Sequence, residues 1–341
     1  MIGRKFILLF LCLAVAACAN VGAQTPEEKG PDLQALVETV QAKYAPVKEG
    51  ANANYIPILD TVDPELFGVV IVTVDGKVYS AGAVDHSFSI QSVSKPFTMA
   101  LVVEEQGLET IVDKVGVEPT GLPFNSIHAI ELNPERAVNP LVNAGAIATV
   151  SLIEADSAEA RWDWIIKGFN AFAGEELTVI DEVYTSEAAT NDRNQAIAKL
   201  LKAYVRLYCD PLEATDVYTK QCSIGVTCKQ MAMMGATLAN GGVNPKTKKK
   251  LIRKEYVDEV LAVMMMAGFY DEVGIWAFKA GLPAKTGVGG GIVAIVPGRM
   301  AIGAFSPRLN PAGNSVRSLK AIEHISKELG LSVFLAPEDR R

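Results

Sequence analysis

Histidine is scarce in this chain: His86, His128 and His324 are the only three among 341 residues. With no Gly-x-Ser-x-Gly elbow either, a Ser-His-Asp triad has few candidates, and a serine nucleophile would need another base. Cysteine is nearly as sparse. Cys12 and Cys18 lie in the leading segment, which leaves Cys209, Cys222 and Cys228 without a Cys-x-x-Cys spacing. That argues against a zinc site and favours small buried hydrophobes, with pairing among the three left open. No Gly-Lys-Ser/Thr closes a phosphate loop, and there is no internal repeat or low-complexity block. Acids outnumber bases 39 to 32, a formal charge of -7, so a nucleic-acid partner is not expected.

A long apolar run is also missing. Phe6 to Ala17 is the longest stretch at the start, short of the roughly 20 residues that a membrane span needs. Arg4 and Lys5 before it and the small residues Val21-Gly22-Ala23 after it make residues 1–23 a secretory signal peptide, cleaved before Gln24. The mature protein is then exported and periplasmic, with a charge of -9 once Arg4 and Lys5 are gone. Val15-Ala16-Ala17-Cys18 supports an alternative, lipoprotein cleavage with a lipid anchor on Cys18.

What is present is apolar material, 49% of the chain, enough for a large core. After a connector and a helix over Asp32 to Tyr44, which together make up residues 24–54, Phe67 to Val74 is dense in β-branched residues. Asp75-Gly76 and Lys77 to Gly82 complete a β-hairpin. From about Pro96 to Tyr270 the chain reads as helices. Apolar spacing is clear at Ile197, Leu200, Leu201, Tyr204, Val205 and Tyr208, and Met231 to Leu238 forms a second run ended by Asn240-Gly241-Gly242. Strands return at Gly291 to Val296 and Arg299 to Phe305 around Pro297-Gly298, and a last helix spans Ser315 to Leu329. The expected fold is α+β. One antiparallel sheet is built from both chain ends and flanked by helices, a mainly helical subdomain over about 96–270 stands beside it, and the site lies in the cleft between them.

The base that histidine does not supply is available in Phe88-Ser89-Ile90-Gln91-Ser92-Val93-Ser94-Lys95-Pro96-Phe97. Pro96 suits a first helical turn, and three-residue spacing puts Ser92 and Lys95 on one face. A buried lysine can accept the serine proton because burial lowers its pKa from about 10.4. Roughly one Ser-x-x-Lys occurs by chance in a chain this long, so alone it reads as a solvated helix start. Lys285-Thr286-Gly287, 193 positions after Ser92, leads into Val288-Gly289-Gly290-Gly291 and a strand. This pairing of motifs is that of the penicillin-recognising enzymes. The bland alternative is an edge-strand lysine before a flexible turn. The glycines favour the functional reading, because they allow the backbone to approach a substrate and aim an N–H at an acyl oxygen.

Further segments carry a resemblance: Tyr55-Ile56-Pro57, Asn139 to Ile147, Ser186-Glu187 with Asn191-Asp192-Arg193-Asn194, Gln221-Cys222-Ser223, Gly268 to Asp271, Gly281 to Gly291, and Ser306-Pro307 with Gly313 to Arg317. In this order, from Tyr55 to Arg317, the chain resembles the serine-dependent bacterial glutaminases of β-lactamase or transpeptidase-like fold. The resemblance implies one catalytic domain over residues 55–335, L-glutamine as substrate, hydrolysis to glutamate and ammonia without a cofactor, and a homodimer or homotetramer. It also implies Ser92 as nucleophile, Lys95 as proton acceptor and Tyr270 as a proton relay. Tyr55, Asn143, Glu187, Asn194 and Tyr218 would grip the amino-acid end, and Val288 would contribute a backbone N–H. Thr286 stands where the family usually has serine and keeps a hydroxyl.

These residue types suit a free amino acid on chemical grounds too, since an ammonium wants a carboxylate and a carboxylate wants amide or hydroxyl donors. Their ordinary alternatives are helix caps for Asn143 and Asn194, a first-turn acid for Glu187 and core aromatics for the tyrosines. Which of Lys95 and Tyr270 is the working base stays open. Two rival functions remain. A β-lactamase or penicillin-binding protein would share both motifs but lacks its Ser-Asp-Asn here, and a non-catalytic amino-acid or antibiotic sensor has no evident need for both Ser92 and Lys95.

Overall fold

The computed structural model describes residues 30–133 and 135–336. The signal-peptide and lipid-anchor expectations, with Cys12 and Cys18, lie outside these residues. Among the described residues the strands are β1 Gly68–Thr73, β2 Val78–Gly82, β3 Phe88–Ser89, β4 Thr178–Val179, β5 Ile224–Val226, β6 Ala284–Thr286, β7 Gly291–Val296 and β8 Met300–Phe305.

The main sheet is antiparallel with order β2-β1-β8-β7-β6. Its middle strands β1, β8 and β7 are buried almost throughout, and this accounts for their near-continuous Val, Ile and Ala: helices cover both faces. Alternation then decides which side chain goes where. Val69, Ile71, Ile292, Ala294, Ile302 and Ala304 share a core with Val37 and Val40 of the helix Leu33–Tyr44 and with Ala321, Ile322 and Ile325 of the helix Val316–Glu328. Val70, Val72, Val293, Ile295 and Ala301 face the other way, toward Met231 and Ala232 of the helix Cys228–Ala239. Truncating such a side chain to alanine costs about 2–5 kcal/mol. The hairpins, both covering helices and the Cys228–Ala239 helix fall where the sequence pattern expects them.

The helical part packs around Phe97, whose ring meets Phe169 and Phe172 edge-on. Its ends are marked by local chemistry. Asp210 accepts hydrogen bonds from the Leu212 and Glu213 N–H groups ahead of Pro211, and Thr227 and Gln230 form a reciprocal capping box. One helix is shorter than its apolar spacing suggests: it spans Asp192–Ala203. Tyr204, Val205 and Tyr208 are surface residues, Val205 is 83% exposed at φ +59°, and the periodicity past residue 203 counted them as core.

A second, three-stranded sheet of order β3-β5-β4 has no counterpart in the sequence reading, because strands of two or three residues carry no detectable alternation. It matters for the site. β3 leads into the Ser92 segment, β4 into the helix Asp181–Ala188 that carries Glu187, and β5 follows the helix Pro211–Cys222 that carries Tyr218. Backbone bonds Ile90 N–H to Ile224 O (2.8 Å) and Ile180 N–H to Ser223 O (2.9 Å) fasten the three together. No single helix among the described residues is long and apolar enough to cross a membrane.

Candidate active site

Ser92 sits in one turn of 3₁₀ helix, Gln91–Ser94, that runs directly into the helix Lys95–Gln106 with Pro96 in its first turn. In a 3₁₀ turn residues three apart eclipse, and Ser92 and Lys95 have that spacing across the junction of the two helices. Both are buried. Gln91, just before the serine, is held at φ +49°, a conformation that costs a non-glycine residue about 1–3 kcal/mol. Its restraints are visible. The Gln91 amide donates to Glu187 Oε2 (2.9 Å), its carbonyl accepts from Ser94 Oγ (2.6 Å), and Gln221 ties Ser94 to Thr98 through bonds of 2.9 and 2.7 Å.

The Lys95 ammonium donates to Asn143 Oδ1 (2.7 Å) and to Leu141 O (3.3 Å). The same Asn143 oxygen accepts from the Tyr218 hydroxyl (3.2 Å), and its amide donates to Asn194 Oδ1 (2.9 Å). Neither asparagine caps a helix: the caps ahead of them are Val142 and Asn191. Burial lowers the Lys95 pKa to about 7, against the opposing pull of Cys222 and Glu187. Burial also raises the Cys222 thiol and the Tyr218 phenol.

Glu187 is not a first-turn acid. It lies in the last turn of its helix, where the macrodipole disfavours a carboxylate, and it is 7% exposed. Burial raises its pKa to about 7, with the Gln91 bond and Lys95 acting in the opposite direction. Tyr55 is half exposed, yet its hydroxyl end is crowded, and burial followed by the Glu187 charge raises its pKa well above the ordinary phenol value. Its ring leans on Phe124 (6.4 Å between centroids), which in turn meets Tyr270 (5.3 Å).

Tyr270 opens a second 3₁₀ turn, Tyr270–Glu272, and is also left-handed, at φ +56°. Asn310 and Asn314 anchor that turn by donating to Glu272 Oε2 (2.8 and 2.5 Å). The Tyr270 hydroxyl is 2.8 Å from Lys285 Nζ. Burial pushes its pKa up, and a hydrogen bond with the Ser92 side chain draws it partly back. Lys285 lies on β6, the edge strand, with no solvent exposure. Burial, followed by the charge of Lys95, holds its amine well below the ordinary lysine value.

After β6, the Val288 side chain packs with Ile56, Leu59 and Val183, which joins the glycine-rich turn to the Tyr55 segment and the Glu187 helix. Among the described residues no backbone carbonyl takes the N–H of Ser92 or of Val288. The glycines also permit close approach within the chain. A Cβ on Gly289 would stand 2.2 Å from the Ser89 carbonyl oxygen, and one on Gly287 would stand 3.0 Å from Ile90 O. They let the turn press against the nucleophile's own backbone.

Ser92, Lys95, Asn143, Glu187, Asn194, Tyr218 and Tyr270 are thus linked by direct contacts or shared partners, with Tyr55 and Val288 at the margin. Sequence reasoning passed over four contributors. Gln91, Gln221 and Lys285 lie inside segments that the sequence singles out without giving those residues a role, and Phe124 carries no signal. Among the described residues no group of three or more His, Cys, Asp or Glu side chains gathers to hold a metal. Buried amines, a carboxyl poised near neutrality and two free N–H groups beside a serine suit acyl transfer from a small polar substrate.

Comparison with known proteins gives one answer. A family model described as Glutaminase matches residues 50–334. The chain is 49% identical over 312 residues to a glutaminase of Colwellia psychrerythraea, covering 92% of this chain and all of the relative. It is 50% identical over 302 residues to glutaminase 1 of Shigella flexneri, covering 89% and 97%. A solved structure of the probable glutaminase ybaS superposes with TM-score 0.88 at 49% identity, over 89% of this chain and 98% of that one. A probable glutaminase from Bacillus subtilis, complexed with 6-diazo-5-oxo-L-norleucine, gives 0.81 at 29% identity, over 91% and 99%.

Proposed function

The chain belongs to the glutaminase family, of β-lactamase-like fold, hydrolases that split the side-chain amide of L-glutamine into L-glutamate and ammonia, and we propose that it works through an acyl-enzyme on Ser92. The observation that carries this is Tyr270, whose hydroxyl bonds with the Ser92 side chain and whose ring centroid lies 5.5 Å from Lys95 Nζ, all three side chains being buried. Ser92 attacks the amide carbon, and the N–H groups of Ser92 and Val288 hold the oxygen as it gains charge. Protons move through Lys95 and Tyr270, so that nitrogen leaves as ammonia, and water then cleaves the γ-glutamyl ester. Glu187 in its ionised form receives the substrate ammonium. Tyr55, Asn143, Asn194 and Tyr218 supply the remaining polar contacts at the amino-acid end.

The test is glutamine turnover and covalent labelling in wild type and Ser92→Ala. The diazoketone complexed with the Bacillus subtilis relative should add a covalent mass at Ser92 of the wild type and none to the variant. Glutamine turnover by Ser92→Ala would sink the acyl-enzyme, as would labelling by penicillin with no glutamine turnover. A homodimer or homotetramer and export of the mature chain belong to the same proposal. Light scattering measures the first, and mass spectrometry of the mature N-terminus the second.

A further inference from the structure

We propose that a cavity walled by Val288 and Gly289 is a second binding site, for a small neutral molecule with an apolar body and one hydroxyl group, and that filling it strengthens glutamine binding. The binding claim stands by itself. Its effect on glutamine rests on the roles given above to Tyr55, Glu187 and Val288.

The cavity holds about 280 Å³, and of the residues assigned to the reaction or to the amino-acid end only Val288 lines it. Its floor is buried and uncharged, formed by Leu59, Phe88, Val183 and Val288. Thr61, His86 and Glu182 stand exposed at its mouth. One polar side chain belongs to the floor: Ser89, 2% exposed, whose hydroxyl has no hydrogen-bond partner among the described residues. It lies along the Gly289 wall, where an added Cβ would stand 3.2 Å from Ser89 Oγ. Buried hydroxyls are nearly always paired, and an occupant with a hydroxyl of its own supplies the missing partner.

Size and charge narrow the class. An apolar cavity of about 150 Å³ takes benzene, so this one takes a substituted ring or a branched chain with room for its polar group. A charged head does not suit it, since a carboxylate would meet Glu182 at the mouth and either sign of charge would lack a counter-ion on the floor. Glutamine, charged twice at one end, is the wrong occupant.

The walls of the cavity are continuous with the elements that carry the active site. Leu59 follows Tyr55 by one helical turn, Ser89 precedes Ser92 by three positions, and Val183 lies one turn ahead of Glu187 on the same helix. Leu59, Val183 and Val288 also belong to a small apolar cluster separate from the two large cores. Beside a void such side chains lack contacts on one side. An occupant supplies those contacts and holds the Tyr55 segment, the Glu187 helix and the Val288 turn in one arrangement. Glutamine needs the same three in place, so order imposed by one ligand is order that the other no longer has to create. The coupling is reciprocal.

Benzyl alcohol and ethylbenzene, which differ by a hydroxyl in place of a methyl, are the probes. Ligand-observed NMR on wild type already labelled at Ser92 by the diazoketone should still show benzyl alcohol bound, because the cavity is not the substrate pocket. With unlabelled wild type, saturating benzyl alcohol should lower the glutamine KM about fivefold. No binding at millimolar concentration overturns the site, an unchanged KM overturns the coupling, and a raised KM with binding lost on labelling would place the probe in the glutamine pocket instead. These measurements need no variant, so they decide whether or not the variants fold. Ser89→Ala should weaken benzyl alcohol about tenfold and leave ethylbenzene as it was; equal losses would remove the hydroxyl from the argument. Ala53→Leu, which extends a side chain of the cavity wall, should abolish binding of both probes, and undiminished binding would put them elsewhere. Diazoketone that failed to label Ser92 would sink the acyl-enzyme while the binding result on unlabelled protein stood.

Discussion

Glu187→Gln should make the empty protein more stable while destroying its use for glutamine. The carboxyl is 7% exposed and at the unfavourable end of its helix, and its pKa rises from 4.5 to about 7, chiefly through burial. A folded-state pKa above the unfolded one means that the native state holds the proton more tightly. Stability is therefore complete below about 4.5, falls as pH rises toward 7, and stays reduced above it. A shift of that size corresponds to about 3 kcal/mol. Glutamine at this position never ionises and can still accept the Gln91 bond. The variant should match wild type at pH 4.5 and gain up to about 3 kcal/mol at pH 8, or roughly 5 °C in Tm for about 300 ordered residues. Scanning fluorimetry from pH 4.5 to 9, with and without L-glutamine, measures both parts: the variant's advantage should grow with pH, and the glutamine-induced shift seen in wild type should vanish. A variant less stable than wild type at pH 8, or an advantage that ignores pH, would refute the claim that this carboxylate is held against its solvation. Wild-type kcat/KM should rise with pH through about 7 as Glu187 ionises.

The glycine-rich turn gives a second test. Gly289→Ala must displace the Ser89 carbonyl or the turn, so it should cost about 1–3 kcal/mol in denaturant melts and at least tenfold in kcat as the Val288 N–H moves. Gly274→Ala, in a helix with nothing within 4 Å of the added methyl, is the control and should leave kcat unchanged and raise stability by up to about 1 kcal/mol. Of the three described cysteines, Cys209 is partly exposed while Cys222 and Cys228 are buried with thiols pushed up by burial. Iodoacetamide followed by peptide mapping should modify Cys209 in the native protein and the other two only after unfolding, and fast native labelling of Cys222 would mean that the pocket is far more open than its burial implies.

The two kinds of pattern in this sequence differ in what they reveal. Long amphipathic or β-branched runs, such as Val69 to Thr73 and Val316 to Glu328, announce their partners because many residues repeat one physical requirement. The β3-β5-β4 sheet stayed hidden because its requirement is met by seven residues spread over about 140 positions. Site residues were legible where motif and chemistry coincided, as at Ser92, Lys95 and Glu187. Gln91 shows the limit: it is held in a left-handed backbone that no side-chain pattern encodes, and Tyr270, equally left-handed, is legible only through the resemblance. The glycines of residues 287–291 are legible as points of close approach, but not the neighbours that they admit inside the chain: Ile90 O at Gly287, Ser89 O at Gly289 and Ser306 O at Gly290.

The pairing of β1 with β8, Gly68 opposite Phe305 through Thr73 opposite Met300, sets a timetable for biosynthesis. β1 leaves the ribosome about 230 residues before its partner does, a wait of roughly 10–50 s at ordinary elongation rates. Throughout that interval Gly-Val-Val-Ile-Val-Thr, with no charge and no proline, has β2 on one side and nothing on the other. A strand that the finished protein buries almost completely is the one that the growing chain must protect longest, and a chain that stops before Met300 has an open edge where the folded enzyme has its centre.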